Sequence, residues 1–168
     1  MLNNTLIDIF IRFAQLTAVA LLAKGFHVYL YSKLCPTPFV SFGVKYLNSC
    51  VGIMITASHN PKQDNGYKVY WSNSAQIIEP HDKKIQANIE DNLVPWSSAW
   101  DISILENSPN VSDPLEEVWS AYNELLKEDV FEPERTLQSS LTMTYTPMHG
   151  VGQTYMERAF QAVGLKVD

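Results

Sequence analysis

The first strong pattern along the chain is a helical one at 6–23. Small and apolar residues recur there four apart, at Ala14, Ala18 and Leu22, which is the spacing of one face of an α-helix. Asp8 and Arg12 interrupt the run, and charged residues at bilayer depth are costly. We therefore expect an amphipathic helix that packs on a sheet rather than a membrane segment.

Strand-like and helix-like segments alternate after this helix. Gly25 is placed to end it, and the aromatic and β-branched run at 26–31 predicts a strand. A second helix is predicted at 39–47, followed by the apolar run VGIMI at 51–55, which is typical of a strand buried on both faces. Such alternation predicts an α/β fold with a mostly parallel sheet.

The rest of the chain continues the alternation and then changes composition. A strand is predicted at 67–71, a helix at 80–92 and a loop at 96–111. Asp113, Pro114 and Glu116 fit the N-cap, N1 and N3 positions of a further helix. A composition break leads to a domain boundary near Pro133, with a first domain at 1–133 and the start of a second at 134–168, where a strand at 141–145 and a helix at 154–163 are predicted.

Composition and net charge limit the classes of molecule that the chain is expected to bind. The 168 residues have a formal net charge of −6 and a pI near 5.1. Nucleic acids and anionic membranes favour basic faces, so we expect neither as a partner. Cys35 and Cys50 lie in apolar stretches without a metal-ligand spacing or a disulfide framework. We expect reduced, buried thiols in a cytoplasmic protein.

The segment TASHNP at 56–61 carries the clearest chemistry. Ser58 comes directly after the predicted strand at 51–55, and ligands of α/β sheets bind beyond the carboxyl ends of strands. A phosphate on Ser58 would carry about two negative charges, which Lys62 and Lys68 can partly offset. Lys68 is also a candidate proton shuttle. Gly66 permits a positive φ, so we expect the loop to fold back and bring Lys68 toward Ser58.

Other interpretations of this loop stay open from its residues alone. A serine hydrolase is disfavoured, because the sequence has no G-x-S-x-G elbow and adjacent residues such as Ser58 and His59 rarely aim both side chains at one point. Charged loop residues are most often a solvated turn. For His59 we favour a role in orienting the loop by hydrogen bonding over a role in proton transfer.

The motif is long enough to carry a resemblance. TASHNP at 56–61 with DNGYK at 64–68 resembles the active-site signature of the α-D-phosphohexomutases. The extension KVYW at 68–71, AQII at 75–78 and PHDK at 80–83 is similar to the eukaryotic branch that contains phosphoglucomutase-2 and glucose-1,6-bisphosphate synthase. The similarity continues to HGVG at 149–152. It implies a three-layer α/β/α domain with a mixed, mostly parallel sheet, plus the start of a second, similar domain.

The resemblance also implies roles for the matching residues. Ser58 corresponds to the phosphoserine that donates a phosphoryl group to the sugar phosphate and recovers one from the bisphosphorylated intermediate. Its phosphate oxygen is also a ligand of the family's Mg²⁺. Lys68 matches the general acid/base. The catalytic set also includes His59, and the residues that shape the loop or contact substrate are Asn60, Asn65 and Gly66.

The implied activity is that of a cytoplasmic isomerase of carbohydrate metabolism. It is an intramolecular phosphotransferase that converts glucose 1-phosphate to glucose 6-phosphate, or acts on pentose phosphates, with sugar phosphates as its small-molecule partners. Mg²⁺ is the implied cofactor, and glucose 1,6-bisphosphate is the activator or intermediate. The oligomeric state is not implied.

Parts of the family pattern are absent from the sequence. Family members have four domains, and the Asp-x-Asp-x-Asp-Arg metal loop, the sugar-recognition loop and the phosphate-binding loop are not found in these residues. We expect an N-terminal fragment, incomplete in its first domain, with negligible mutase activity by itself. The alternatives are glucose-1,6-bisphosphate synthase, which uses the same serine with another donor, and a truncated non-catalytic paralogue that acts as an interaction module.

Overall fold

Helices and short strands alternate along the chain. The computed structural model describes residues 4–61, 63–130, 132–148 and 150–165, with side chains from residue 8 onward. The helices are α1 (Asn4–Ala23), α2 (Thr37–Tyr46), α3 (His81–Asp91), α4 (Ile104–Asn107), α5 (Leu115–Glu128), α6 (Pro133–Leu137) and α7 (Gln153–Ala162), with a 3-10 helix at Ser97–Trp100. The strands are β1 (Val28–Tyr29), β2 (Val51–Thr56), β3 (Gly66–Trp71) and β4 (Val111–Ser112).

Strand pairing is both parallel and antiparallel. β1 pairs with β4 in parallel, with Val28 opposite Val111. β2 and β3 form an antiparallel hairpin whose last pair joins Thr56 to Gly66. The described residues therefore contain one parallel and one antiparallel two-stranded sheet.

Helices cover both faces of the β2–β3 hairpin. Val40 and Val44 of α2 lie so close to Gly52 that a Cβ there would collide with Val44. On the other face, Thr17 of α1 lines a cleft together with Ile55. Residues of opposite parity in a strand point to opposite faces, so α1 and α2 sandwich the hairpin. This arrangement confirms the predicted α/β class with helices on both sides of the strands.

The end of α1 is built as the sequence predicted. Gly25 has a φ of 81°, in the left-handed region that glycine adopts without cost. Its N–H donates to the Leu22 carbonyl at 2.9 Å, and the Phe26 N–H donates to the Leu21 carbonyl at 3.2 Å. These two bonds form a Schellman cap that stops the helix. No described helix combines the length and the hydropathy that a bilayer-spanning segment requires.

Among the described residues, an aromatic cluster joins the buried side chains of Phe39 and Trp119 to the partly buried Tyr122 and Tyr155. Phe39 is 2% exposed, and its ring centroid lies 5.2 Å from that of Trp119 and 4.9 Å from that of Tyr155. Aromatic pairs at such distances add to the stabilisation that burial gives. Cys35 lies in the same core, and burial raises the pKa of its thiol to about 12.

Helix α7 packs on this cluster. The Tyr155 hydroxyl donates to the Leu34 carbonyl at 2.8 Å, and an Arg158 nitrogen lies 3.4 Å from a Glu116 carboxylate oxygen. The segment at 134–168 therefore contributes side chains to the core that α2 and α5 build.

The helix α5 begins one residue later than predicted. Pro114 occupies the N-cap position. The Asp113 carboxylate still caps the helix, because it accepts the Leu115 N–H at 3.0 Å. The helices predicted at 80–92 and 154–163 are confirmed as α3 and α7.

Four other predictions were wrong. The strand predicted at 26–31 is only two residues long, because its partner β4 has two residues. β2 is half-buried along its length rather than fully buried, since β3 is its single partner among the described residues. Residues 141–145 form no strand and are exposed, since no described segment pairs with them. Cys50 is exposed, because it lies in the turn that leads into β2.

Candidate active site at the serine loop

The candidate site is the connection of the β2–β3 hairpin at 57–65, which we call the serine loop. It leaves the sheet at Thr56 and returns at Gly66. Ser58 therefore lies just beyond the carboxyl end of a strand, where α/β sheets bind ligands. Its side chain is exposed.

The backbone at Ser58 is strained. Its φ is 53°, in the left-handed region that a residue with a Cβ seldom adopts. The Ser58 N–H donates to the Thr56 hydroxyl at 3.1 Å, and the Asn60 N–H donates to the Ala57 carbonyl at 3.0 Å. A non-glycine residue in this conformation costs roughly 1–3 kcal/mol and persists only where its surroundings hold it. These local hydrogen bonds supply that restraint.

The side chain of Ser58, the candidate nucleophile, contacts the side chain of its neighbour His59. The Ser58 Oγ lies 3.3 Å from the His59 Nδ1, and both residues are exposed. Adjacent residues rarely aim both side chains at one point, and here the contact accompanies a left-handed φ at Ser58. Within the described residues His59 forms no ion pair with a carboxylate, so the third member of a hydrolase triad is not found there.

Gly66 shapes the loop for a different reason from the one predicted. Its φ is not positive. A Cβ at this position would instead collide with the backbone carbonyl oxygen of Thr56. Because a backbone atom cannot rotate away, only glycine fits where the hairpin closes. The loop returns by a close approach of two strands and not by a left-handed glycine.

Lys68 lies on β3 opposite Met54 and is half-buried. Side chains alternate along a strand, so Lys68 is on the hairpin face that Thr56 and Gly66 share. No hydrogen bond joins Lys68 to Ser58 or His59, and within the described ranges Lys68 takes part in no salt bridge. The structure thus brings Ser58 and His59 together and leaves Lys68 on the adjacent strand.

The remaining predicted residues lie along the exposed rim of the loop. Asn60 and Asn65 are both exposed. Asn65 and Gly66 also border an apolar cleft of about 510 Å³ between α1 and the hairpin. Lys62, a predicted neighbouring cation, and His149 of the HGVG motif lie outside the described residues. Gly152 of that motif is the N-cap of α7.

The fit of a metal ion can be tested against the donors that surround the loop. Within the described ranges, no three or more His, Cys, Asp or Glu side chains are grouped closely enough to hold a metal ion. A Ser58 phosphate oxygen as a metal ligand stays a prediction.

Thr56 contacts the serine directly, through a hydroxyl that accepts the Ser58 N–H, and sequence reasoning missed it. It belongs to the motif, but no role was predicted for it. The available signal was its place one residue after the predicted strand at 51–55 and two before the serine, where a hydroxyl can accept the N–H of residue i+2.

Comparison with known proteins connects this loop to a family. The family model described as phosphoglucomutase/phosphomannomutase, alpha/beta/alpha domain I, matches residues 11–94. That range includes α1 from residue 11 onward, the β2–β3 hairpin and the whole serine loop. The chain belongs to this family.

Full-length relatives in the phosphoglucomutase/phosphomannomutase family are much longer than the chain. It is 49% identical to the phosphopentomutase of Homo sapiens over 154 residues, which are 92% of the chain and 25% of that protein. The glucose 1,6-bisphosphate synthase of Homo sapiens is 46% identical over 155 residues, again 92% and 25%. The phosphoribomutase of Saccharomyces cerevisiae is 43% identical over 151 residues, 84% of the chain and 24% of that protein. The chain thus spans about a quarter of the length of these curated relatives.

Proposed function

We propose that the chain is the phosphoryl-carrying part of a sugar-phosphate mutase, with Ser58 as the phosphoryl relay. The observation that carries the proposal is the exposed Ser58 Oγ, held beyond the end of β2 on a left-handed backbone and 3.3 Å from the His59 Nδ1. The names of the three relatives, two mutases and a bisphosphate synthase, support the same chemistry.

The proposed reaction has two phosphoryl transfers. In the first, the bond between phosphorus and the Ser58 Oγ breaks, and phosphorus bonds to a hydroxyl oxygen of the sugar phosphate. The hydroxyl loses its proton and the Ser58 Oγ gains one, so the products are a free serine and a sugar bisphosphate. In the second, Ser58 attacks the other phosphoryl group of the bisphosphate and the protons move in reverse. The net result is an isomerised sugar monophosphate.

Two side chains are proposed to assist these steps. Lys68, on the strand that receives the loop, carries the proton between the sugar hydroxyl and the Ser58 Oγ as general acid/base. His59 steadies the Ser58 Oγ through its Nδ1 contact. Asn60, Asn65 and Gly66 keep the shape of the loop, and Asn60 and Asn65 are exposed to an incoming substrate.

The substrate is proposed to be a pentose or hexose phosphate, including glucose 1-phosphate, with glucose 1,6-bisphosphate as the phosphoryl donor. Mg²⁺ would neutralise charge on the transferring group when bound. We further propose a cytoplasmic location and a division into a first domain at 1–133 and a second that begins at 134. Negligible mutase turnover by the 168 residues alone stays a prediction, which a coupled assay of glucose 6-phosphate formation tests.

A second candidate is glucose 1,6-bisphosphate synthase. The 46% identity with that enzyme favours it as an alternative. It would use the same Ser58 but take its phosphoryl group from another donor. In both candidate functions Ser58 accepts the phosphoryl group, but the molecule that donates this group differs.

Phosphopeptide mapping tests the shared claim. The purified chain is incubated with glucose 1,6-bisphosphate and MgCl₂ for hours, so that even a slow single transfer accumulates. We expect one phosphate on Ser58, none in Ser58→Ala, and unchanged uptake in Ser72→Ala, a matched control at an exposed turn. Phosphate on another residue, or equal uptake by Ser58→Ala, overturns the proposal.

A further inference from the structure

Thr56 holds a special position at the start of the serine loop. It is the last residue of β2, and its backbone pairs with Gly66 across the hairpin. Its carbonyl oxygen lies directly against the Gly66 Cα, with no room for a Cβ between them. The hairpin thus determines where the Thr56 backbone lies.

The Thr56 side chain links this fixed backbone to Ser58. Its Oγ1 accepts the Ser58 N–H at 3.1 Å. Ser58 has a φ of 53°, a conformation that a residue with a Cβ leaves when its restraints are removed. A change of φ at Ser58 is a rotation about its N–Cα bond, which moves the side chain and its Oγ relative to the preceding backbone.

We propose that Thr56 is a positioning residue for phosphoryl transfer. Its hydroxyl holds Ser58 in the left-handed conformation and so sets the direction in which the Ser58 Oγ leaves the loop. The inference rests on the proposed function of Ser58. Thr56 itself touches neither the phosphoryl group nor the sugar, and it acts only through the Ser58 backbone.

A pair of substitutions separates this role from plain structural support. Thr56→Val keeps the shape and the β-branch but removes the acceptor, and Thr56→Ser keeps the acceptor. We expect the rate of phosphate uptake at Ser58 to fall roughly tenfold in Thr56→Val and to stay within about twofold of wild type in Thr56→Ser. The midpoints of denaturant unfolding are measured in parallel, and we expect the rate loss to exceed any loss that the unfolded fraction explains.

A second measurement does not depend on activity. Backbone NMR chemical shifts of 57–60 report whether Ser58 is left-handed. We expect left-handed shifts and a small temperature coefficient of the Ser58 amide in the wild-type chain and in Thr56→Ser, and the loss of both in Thr56→Val. An extended Ser58 in the wild-type chain overturns the inference even if Thr56→Val does not fold.

The outcomes distinguish the two proposals. Phosphate on Ser58 at equal rates in wild type and Thr56→Val overturns the role of Thr56 and leaves the proposed function intact. A rate loss in Thr56→Ser as large as that in Thr56→Val also overturns it, since the hydroxyl would then not be the cause. A wild-type chain that takes up no phosphate at Ser58 overturns the proposed function together with this role.

Discussion

The serine loop and the aromatic cluster are stabilised in opposite ways. The cluster buries Phe39 to 2% exposure among three other rings, and its contacts come from α2, α5 and α7. The loop is exposed and depends on a few hydrogen bonds between residues two or three apart, with one residue at a φ of 53°. The cluster is stabilised by the burial of apolar surface, and the loop is stabilised by hydrogen bonds between residues that are close in the sequence.

Because of this difference, we expect substitutions in the cluster and in the loop to affect different quantities: the stability of the fold and the rate of phosphoryl transfer. Removing a buried ring leaves a cavity and lowers the free energy of unfolding. Removing a restraint from the loop changes the direction of one hydroxyl and lowers stability little. Substitutions in the cluster should therefore reduce the amount of folded protein, and those in the loop should reduce the rate of phosphoryl transfer by the folded protein.

The largest expected effect is that of Phe39→Ala. The lost ring contacts and the residual cavity should lower the free energy of unfolding by about 3–5 kcal/mol, a large share of the stability of a typical domain. Denaturant unfolding followed by tryptophan fluorescence measures it, because Trp119 lies next to Phe39.

Phe26→Ala is the matched control for that substitution. Phe26 is 43% exposed, so its removal should cost less than about 1 kcal/mol. Equal losses in the two variants would contradict the assignment of the core to the aromatic cluster.

A smaller effect is expected from Gly66→Ala. The new Cβ would meet the Thr56 carbonyl, so the hairpin end must shift, and we expect a loss of about 2 kcal/mol in unfolding free energy. Because the shift moves the start of the loop, the rate of phosphate uptake at Ser58 should fall as well.

Gly25→Ala is a control for Gly66→Ala, because it tests the cost of an unfavourable backbone conformation without steric crowding. Gly25 has a φ of 81°, and nothing lies within 4 Å of the position its Cβ would take. We expect a cost of about 1 kcal/mol from the left-handed backbone alone and no change in phosphate uptake. A Gly66→Ala variant as stable and as readily phosphorylated as wild type would contradict the close approach of Thr56 and Gly66.

Local patterns predicted most of the described helices. The stripe of α1, its cap at Gly25 and the Asp113 cap of α5 depend on residues that are close in the sequence, so the sequence contains the evidence. The TASHNP motif likewise follows directly on the predicted strand at 51–55, so the position of Ser58 after a strand could be predicted, while its chemistry stays a proposal.

Features that depend on distant partners could not be predicted in the same way. The pairing of β1 depends on β4, which begins at the last residue of the segment predicted as a loop. The contact of Tyr155 with Phe39 joins segments on both sides of the predicted domain boundary. The need for glycine at 66 comes from a carbonyl across the hairpin, and the left-handed φ of Ser58 is not indicated by the type of residue at that position.

The most direct test of Ser58 as a phosphoryl relay follows the phosphate after it has been taken up. The chain is labelled on Ser58 with radioactive phosphate, freed of donor and mixed with glucose 6-phosphate or ribose 5-phosphate in a single-turnover experiment. We expect the label to leave Ser58 and to appear in a sugar bisphosphate, and we expect no loss of label when the sugar phosphate is omitted. Label that stays on Ser58 after hours with the sugar phosphate and MgCl₂, or that is released as inorganic phosphate at the same rate with and without the sugar phosphate, would contradict the role of Ser58 as a relay.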